Sequence, residues 1–363
     1  MKKKTIAVIS NNHAWTYNLR SEIFQALLDQ GHRVVVIVGY GEKIENFKAM
    51  GCEFIDIPVD RHGTNPIKDF NLIRKYKKVL KELNPDMVFT YTIKPNVYGG
   101  YVCGRLKIPF VANITGLGTA VENKGPMQLI TLNMLRIGLK KASKVFFQNT
   151  ENMQFLLDKK VISGAYDLLP GSGVNTTKFA VLPYPSDDTV EFVFISRLMK
   201  EKGIEQYLDA AIKIREKYPN TRFHICGFCE QAYENRIEEL SQNGTVIYHG
   251  MVDDVREVIK NTHCTIHPTY YPEGLSNVLL ESSACARPII TTNRAGCREV
   301  IDDGVNGFIV EQKNSTDLIE KIEKFLSLSH EERRNMGLAG RTKVEKEFDR
   351  RVVIEKYLEE VEE

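Results

Sequence analysis

The chain has no stretch approaching the about 20 uninterrupted apolar residues that a spanning helix needs, and its first apolar run, Ile6 to Ile9, is too short for a secretory-signal core. A soluble or at most membrane-attached protein is expected. No disulfide framework is legible either. Seven cysteines, an odd number, are scattered through apolar runs and strand ends, and Met1-Lys2-Lys3-Lys4 leads straight into a short strand, which together point to a reducing cytoplasm. The single C-x-x-C, Cys226 and Cys229, lacks the second pair of a structural zinc site, and His263 and His267 flank an apolar strand with no third ligand in register. No metal and no cofactor are therefore expected. The loop after the first strand, Ser10, Asn11, Asn12, His13, Ala14 and Trp15, has none of the glycines of a G-x-G-x-x-G turn, which argues against a nicotinamide dehydrogenase. Low-complexity tracts and short-period repeats are missing as well.

What is present is length and alternation. At 363 residues the chain exceeds one comfortable core, so two domains are expected. Apolar runs at residues 5–10, 33–38, 54–57, 87–90, 110–113 and 144–147 alternate with helical periodicity at 17–30, 68–83, 97–105 and 128–142. A second series has strands at 191–195, 222–226, 246–249, 264–267, 288–291 and 307–310, with helices at 204–217, 233–242 and 255–261, and two helical segments over 331–363. Near-continuous apolar strands separated by helices mean parallel sheets covered on both faces. The predicted class is α/β, with two doubly wound parallel-sheet domains facing a cleft off the carboxyl ends of their strands. Residues 171–187, dense in Gly and Pro, read as a linker between a first domain, 1–170, and a second, 188–345, with a last helix, 346–363, packing back on the first.

The net charge of +2 hides an uneven split. Residues 1–180 carry 25 Lys and Arg against 14 Asp and Glu, and residues 181–363 carry 24 against 33. A basic first half suits an anionic partner, for which nucleic acid, an anionic membrane or a phosphorylated substrate all qualify; lysines that merely solvate helix faces would give the same count. Two segments bear on this choice. Residues 127–141 are apolar around much of the helical circumference and end in basic residues, and the helix at 68–83 carries Arg74, Lys75, Lys77, Lys78 and Lys81. Both suit an anionic bilayer, and both also suit core packing or a solvated face.

The chemistry concentrates in the second half. Glu273 and Glu281 bracket Gly274, Leu275, Ser276 and Asn277, a loop closing into a helix N-terminus, with one acid before the helix and the other about two turns inside it. Backbone amides of a first helical turn attract a diphosphate, and flanking carboxylates accept hydrogen bonds from sugar hydroxyls. Arg197 and Lys202, at the carboxyl end of the strand at 191–195, form a cationic clamp for a diphosphate leaving group. Gly250 and Val252 follow another strand end, where backbone groups reach a nucleobase edge or simply make a turn. Gly296 and Cys297 read as a structural turn. In the first half His13, Lys94, Asn96 and Thr115 lie beyond strand ends and are the acceptor-side candidates, Lys94 supplying positive charge near a diphosphate.

With these residues in place the chain resembles the retaining GT-B glycosyltransferases of the E-x7-E type, glycosyl transferases group 1. The signature lies in Glu273 through Glu281 together with Ser196 through Gly203. Lys94 to Gly99, Thr115 to Gly118, and Gly296 with Cys297 resemble the branch of N-acetylgalactosaminyltransferases acting on undecaprenyl-diphosphate-linked sugars. The resemblance implies that Glu281 holds ribose hydroxyls, Glu273 the donor sugar, Arg197 and Lys202 the diphosphate, and Gly274 to Asn277 the sugar and phosphate. It implies a UDP-sugar donor, a polyprenyl-diphosphate-linked saccharide acceptor, retention at the anomeric carbon, no metal, no nucleic-acid partner, and a peripheral position on the inner face of the cytoplasmic membrane. Asn11, Asn12 and Thr115 stand where many members have a glycine pair and a histidine, so acceptor geometry does not transfer. A nucleotide-sugar epimerase or hydrolase, or a non-catalytic glycan-binding protein, is the alternative.

Overall fold

The structure, a computed structural model, describes residues 2–60 and 65–362; residue 363, where the last helix was expected to end, lies outside them. The chain forms two compact units, 1–172 with 351–363, and 173–350. The first holds strands β1 Thr5–Ile9, β2 Arg33–Val38, β3 Glu53–Asp56, β4 Met87–Tyr91, β5 Phe110–Ile114, β6 Lys144–Phe147 and β7 Ala165–Leu168, ordered β3-β2-β1-β4-β5-β6-β7. All its ladders are parallel.

The central strands of the sheet are mainly apolar because both faces are buried, and period-2 alternation divides their side chains between those faces. Ala7, Ile9, Val35, Ile37 and Val88 face the helices Pro66–Leu83, Gly100–Leu106 and Pro126–Leu139. Ile6, Val8, Val34, Val36 and Phe89 face the helices His13–Asp29 and Arg350–Glu362. That last helix seats Val353, Tyr357 and Val361 at four-residue spacing, one stripe of its surface. Burying each such side chain contributes about 1.5–3 kcal/mol.

The second unit holds β8 Val190–Ile195, β9 Thr221–Cys226, β10 Ile247–Tyr248, β11 Cys264–His267, β12 Ile289–Thr292 and β13 Gly307–Val310, ordered β10-β9-β8-β11-β12-β13. Its ladders are also parallel. In both sheets the strand order reverses beside the first strand, between β1 and β4 and between β8 and β11. Such reversal points open a crevice at the carboxyl ends of the two strands.

Several elements differ from the sequence reading. The first helix begins at His13, not near 17, because the Asn12 side chain accepts from the Trp15 amide and caps it. His13 to Trp15 are therefore helical rather than loop. The helices Ile44–Ala49, Thr150–Asp158 and Ser315–Ser327 and the strand β7 escaped notice. The Pro- and Gly-rich stretch read as a linker is docked from residue 173 onward. Val174 donates to the Phe348 carbonyl at 2.8 Å and accepts from the Arg350 amide at 3.1 Å, and Val174 and Phe179 are buried. Gly173 is required there, at φ +64°, since a Cβ would lie 2.5 Å from Arg350 Cα. Arg287, fully buried, locks the same strap by donating to the carbonyls of Leu182 and Pro183 as well as Ile259 and Lys260.

Candidate functional site

In the second unit the chain leaves β8 through Ser196 and Arg197 into a 3-10 turn, Lys200–Lys202, and then the helix Ile204–Lys217. Gly203 sits at φ +79°, and a Cβ there would meet the Pro268 carbonyl oxygen at 2.1 Å. Only glycine lets the turn press this closely on the end of β11. The two loops are then joined by hydrogen bonds, the Tyr270 amide and the Thr269 hydroxyl both donating to the Glu201 carbonyl. This contact brings Lys202 to Glu273. Their side chains form an ion pair, each mostly buried, with the ammonium 4.9 Å from the centre of the Tyr271 ring. Beneath them His267 is buried with both ring nitrogens unpartnered. Desolvation, reinforced by the Lys202 charge, pushes its pKa down to about 3, so it stays neutral.

The loop from Glu273 to Ser276 is held by Gly296. The Ser276 amide donates to the Gly296 carbonyl at 2.7 Å, and at φ +88° a Cβ on Gly296 would lie 2.7 Å from the Gly274 oxygen. The turn at Gly296 is thus structural, and what it supports is the Glu273 loop. Gly274, Leu275 and Ser276 are buried, while Asn277 is half-buried and opens the helix Asn277–Ala284. No side chain caps that helix, so its first-turn amides are available to an anion. Glu281 lies one turn inside the helix rather than two.

The other candidates of the second unit stand apart from this pair. Arg197 does not join the Lys202 and Glu273 pair; its guanidinium lies 3.8 Å from Glu230, a partner the sequence did not suggest. Glu281 does not share the surroundings of Glu273. Its charged neighbours are Arg350, Lys178 and Asp254, and burial raises its carboxyl to about 7 against the two cations. Gly250, at φ +67°, has its carbonyl engaged by the Gly227 amide at 2.7 Å, which ties together the loops after β9 and β10; Val252 is half-buried nearby in sequence.

In the first unit two of four candidates are structural. Lys94 is neutralised by Asp69 at 2.7 Å, an acid of the helix Pro66–Leu83 that also accepts from the Tyr98 hydroxyl at 2.7 Å. Asn96 is buried, accepts from the Thr90 hydroxyl at 2.6 Å and donates to the Asn113 carbonyl at 2.8 Å, tying β4 to β5. Neither is free to meet an acceptor. Thr115, half-buried, follows β5 directly. His13 is half-buried against Gly41, whose missing Cβ would stand 1.9 Å from its Nε2.

Two family models divide the chain as the two sheets do. Residues 177–343 match glycosyl transferases group 1, and residues 6–149 match the glycosyl transferase 4-like family. The chain is a glycosyltransferase with a group 1 domain in its second half and a 4-like domain in its first. A Campylobacter jejuni relative, N,N'-diacetylbacillosaminyl-diphospho-undecaprenol alpha-1,3-N-acetylgalactosaminyltransferase, is 25% identical over 97% of each chain. The capsular polysaccharide biosynthesis glycosyltransferase CapM of Staphylococcus aureus is 26% identical over 68% of this chain and 75% of its own. Among solved structures, Anabaena Alr3699/HepE in complex with UDP and glucose superposes with a TM-score of 0.81 at 15% identity, covering 99% of both chains. Sucrose-phosphate synthase from Thermosynechococcus elongatus follows at 0.78 and 19%, covering 98% of both. The transferase therefore has the GT-B fold.

Proposed function

We propose that the transferase moves a hexosyl or N-acetylhexosaminyl group from a UDP-sugar to a hydroxyl of a polyprenyl-diphosphate-linked saccharide, with retention at the anomeric carbon. The observation that carries this reading is the meeting of Lys202 and Glu273 at the β8/β11 reversal point, beside the uncapped start of the helix Asn277–Ala284. Lys202 and the helix amides stabilise the departing diphosphate, and Glu273 accepts from hydroxyls of the donor sugar. The bond between the anomeric carbon and the β-phosphate oxygen breaks, the acceptor oxygen bonds to that carbon from the same face, and a phosphate oxygen takes the acceptor proton. Arg197 supports the diphosphate once released from Glu230. The Campylobacter relative supports the lipid-linked acceptor, and the UDP complexes of Alr3699/HepE support the donor nucleotide. No metal and no nucleic acid enter the scheme.

The same reading seats the first unit on an anionic membrane face. The helix Pro126–Leu139 buries Leu132, Leu135 and Leu139 yet exposes Met127, Leu129, Ile130 and Ile137, beside Arg136 and Lys140. An exposed apolar row edged with cations matches an anionic bilayer surface, and no helix among the described residues is long and apolar enough to cross one. The deciding experiment incubates the protein with UDP-N-acetylgalactosamine, UDP-N-acetylglucosamine or UDP-glucose and an undecaprenyl-diphosphate-linked saccharide, then assigns the new linkage by NMR. An α-linked product and stoichiometric UDP support the reading. Donor conversion without any acceptor product, or a β-linkage, overturns it. Vesicle sedimentation of Ile130→Glu, expected to be several-fold weaker than wild type on anionic liposomes, tests the membrane face.

A further inference from the structure

Four arginines among the described residues are buried, and three of them have an anion or backbone carbonyls against the guanidinium. Arg287 donates to a ring of backbone carbonyls. Arg333 pairs with Asp187 at 2.9 Å, and Arg350 donates to the Gly173 carbonyl at 3.0 Å. Arg20 is different. It is 4% exposed, yet among the described residues its one side-chain hydrogen bond is to the Leu19 carbonyl at a long 3.3 Å, and its guanidinium lies over the Tyr91 ring, 5.1 Å from the centre. No carboxylate pairs with it among the described residues. A buried guanidinium has five N–H donors and a charge that costs dearly to desolvate, so one that lacks an anion is incomplete by itself.

A second feature lies one residue beyond Tyr91. Thr92 has φ +73°, and among the six described non-glycine residues with positive φ it is the β-branched one. Asn84 and Lys107 adopt this conformation as they close helices, the usual place for it. Thr92 instead closes the strand β4, with its carbonyl held by the Asn96 amide at 3.0 Å and its hydroxyl buried without a partner. A branched residue held in this region marks a place where surroundings impose geometry for a purpose. The position is the β1/β4 reversal point. The register pairs Ile9 with Thr90, so the loop after β1 runs beside Thr92, and there Asn11 Oδ1 and His13 Nδ1 are likewise buried and unpartnered.

We propose that Arg20 and Thr92 form the first unit's subsite for a phosphoryl oxygen of the acceptor, Arg20 supplying the charge and Thr92 a hydroxyl donor. This rests on the lipid-linked acceptor of the function proposed above, and it moves the phosphate-binding role from Lys94, whose charge Asp69 already takes, to Arg20. Arginine suits the task because its planar fork binds phosphate at two nitrogens.

The test compares two acceptors carrying the same saccharide, one diphosphate-linked and one a neutral benzyl glycoside, across wild type, Arg20→Met, Thr92→Val and Thr92→Ser. The expected result is a KM raised at least tenfold for the diphosphate-linked acceptor in Arg20→Met and severalfold in Thr92→Val. KM for the neutral glycoside and for the UDP-sugar should stay within twofold, and Thr92→Ser, which keeps the hydroxyl, should resemble wild type. If Arg20→Met does not fold, the two Thr92 variants decide. Equal KM shifts for both acceptors overturn the subsite, as does an unchanged KM for the diphosphate-linked one. A raised donor KM alone would assign the phosphoryl group to the nucleotide and overturn it too. A wild type that transfers to neither acceptor refutes the underlying function instead.

Discussion

The two units lay down their first six strands in the same order and open a crevice at equivalent places, yet they dispose of their ionic groups differently. In the second unit the ion pair Lys202 and Glu273 joins the two loops that form the reversal point. In the first unit the comparable pair, Lys94 and Asp69, joins a loop to a flanking helix and braces it. The first pair holds its charges at the crevice, where, in the proposed reaction, a diphosphate would compete with Glu273 for Lys202. The second pair spends its charges on the scaffold, and among the described residues of that unit Arg20 is a buried cation with no carboxylate partner. Equivalent topology therefore fixes where a crevice opens without fixing which side chains serve it.

The sharpest way to break this contrast is to neutralise both lysines. Lys202→Ala should lower kcat/KM by at least thirtyfold, on the order of 2 kcal/mol of transition-state stabilisation, with its melting temperature nearly kept. Lys94→Ala should leave turnover per folded molecule within a few-fold. Steady-state kinetics on both variants checks this, and comparable losses would erase the distinction. In stability the largest effect belongs to the strap of the second unit. Arg287→Ala abandons several buried carbonyls and should cost about 3 kcal/mol in denaturant unfolding. Asn96→Ala in the first unit breaks two buried hydrogen bonds and should cost about 2 kcal/mol, again without changing turnover per folded molecule.

The smallest effect per step is a pH dependence specific to the second unit. Glu281 titrates near 7 in the folded chain, above the ordinary 4.5, because burial outweighs the attraction of Arg350 and Lys178, while Asp254 adds to the upward shift. Below pH 4.5 the group is protonated in both states and contributes nothing. As pH rises from 4.5 to 7 the unfolded chain releases its proton first, so stability falls by about 1.4 kcal/mol per pH unit, and the loss is complete above 7. Chemical denaturation of Glu281→Gln across this range should show a flatter profile. An unaltered slope would mean that Glu281 ionises normally.

Much of the fold was legible because parallel strands buried on both faces carry near-continuous apolar runs, as residues 34–38 and 192–195 do. The elements that escaped were those whose faces are not uniformly buried. β7, Ala165–Leu168, is mostly exposed at the sheet edge and carries no apolar run. Among site residues, Lys202 and Glu273 were nameable from their placement at strand and helix ends, but their direct pairing was not, since 71 positions separate them. The partners of Asn96 and Lys94 were hidden for the same reason. A polar residue after a strand end looks the same in sequence whether it points to a ligand or to Asn113 and Asp69.

The sequence by itself determined the α/β class, the doubling of the sheet, and the loops that bear charge, because periodicity and strand-end position are properties of a local stretch of chain. Tertiary structure alone decided which charges are spent inside the protein and which are left wanting a partner. That Asp69 claims Lys94, that Glu273 meets Lys202, and that no acid among the described residues pairs with Arg20 each depend on segments brought together by folding, where the energy of an ion is set by its neighbours and its loss of water.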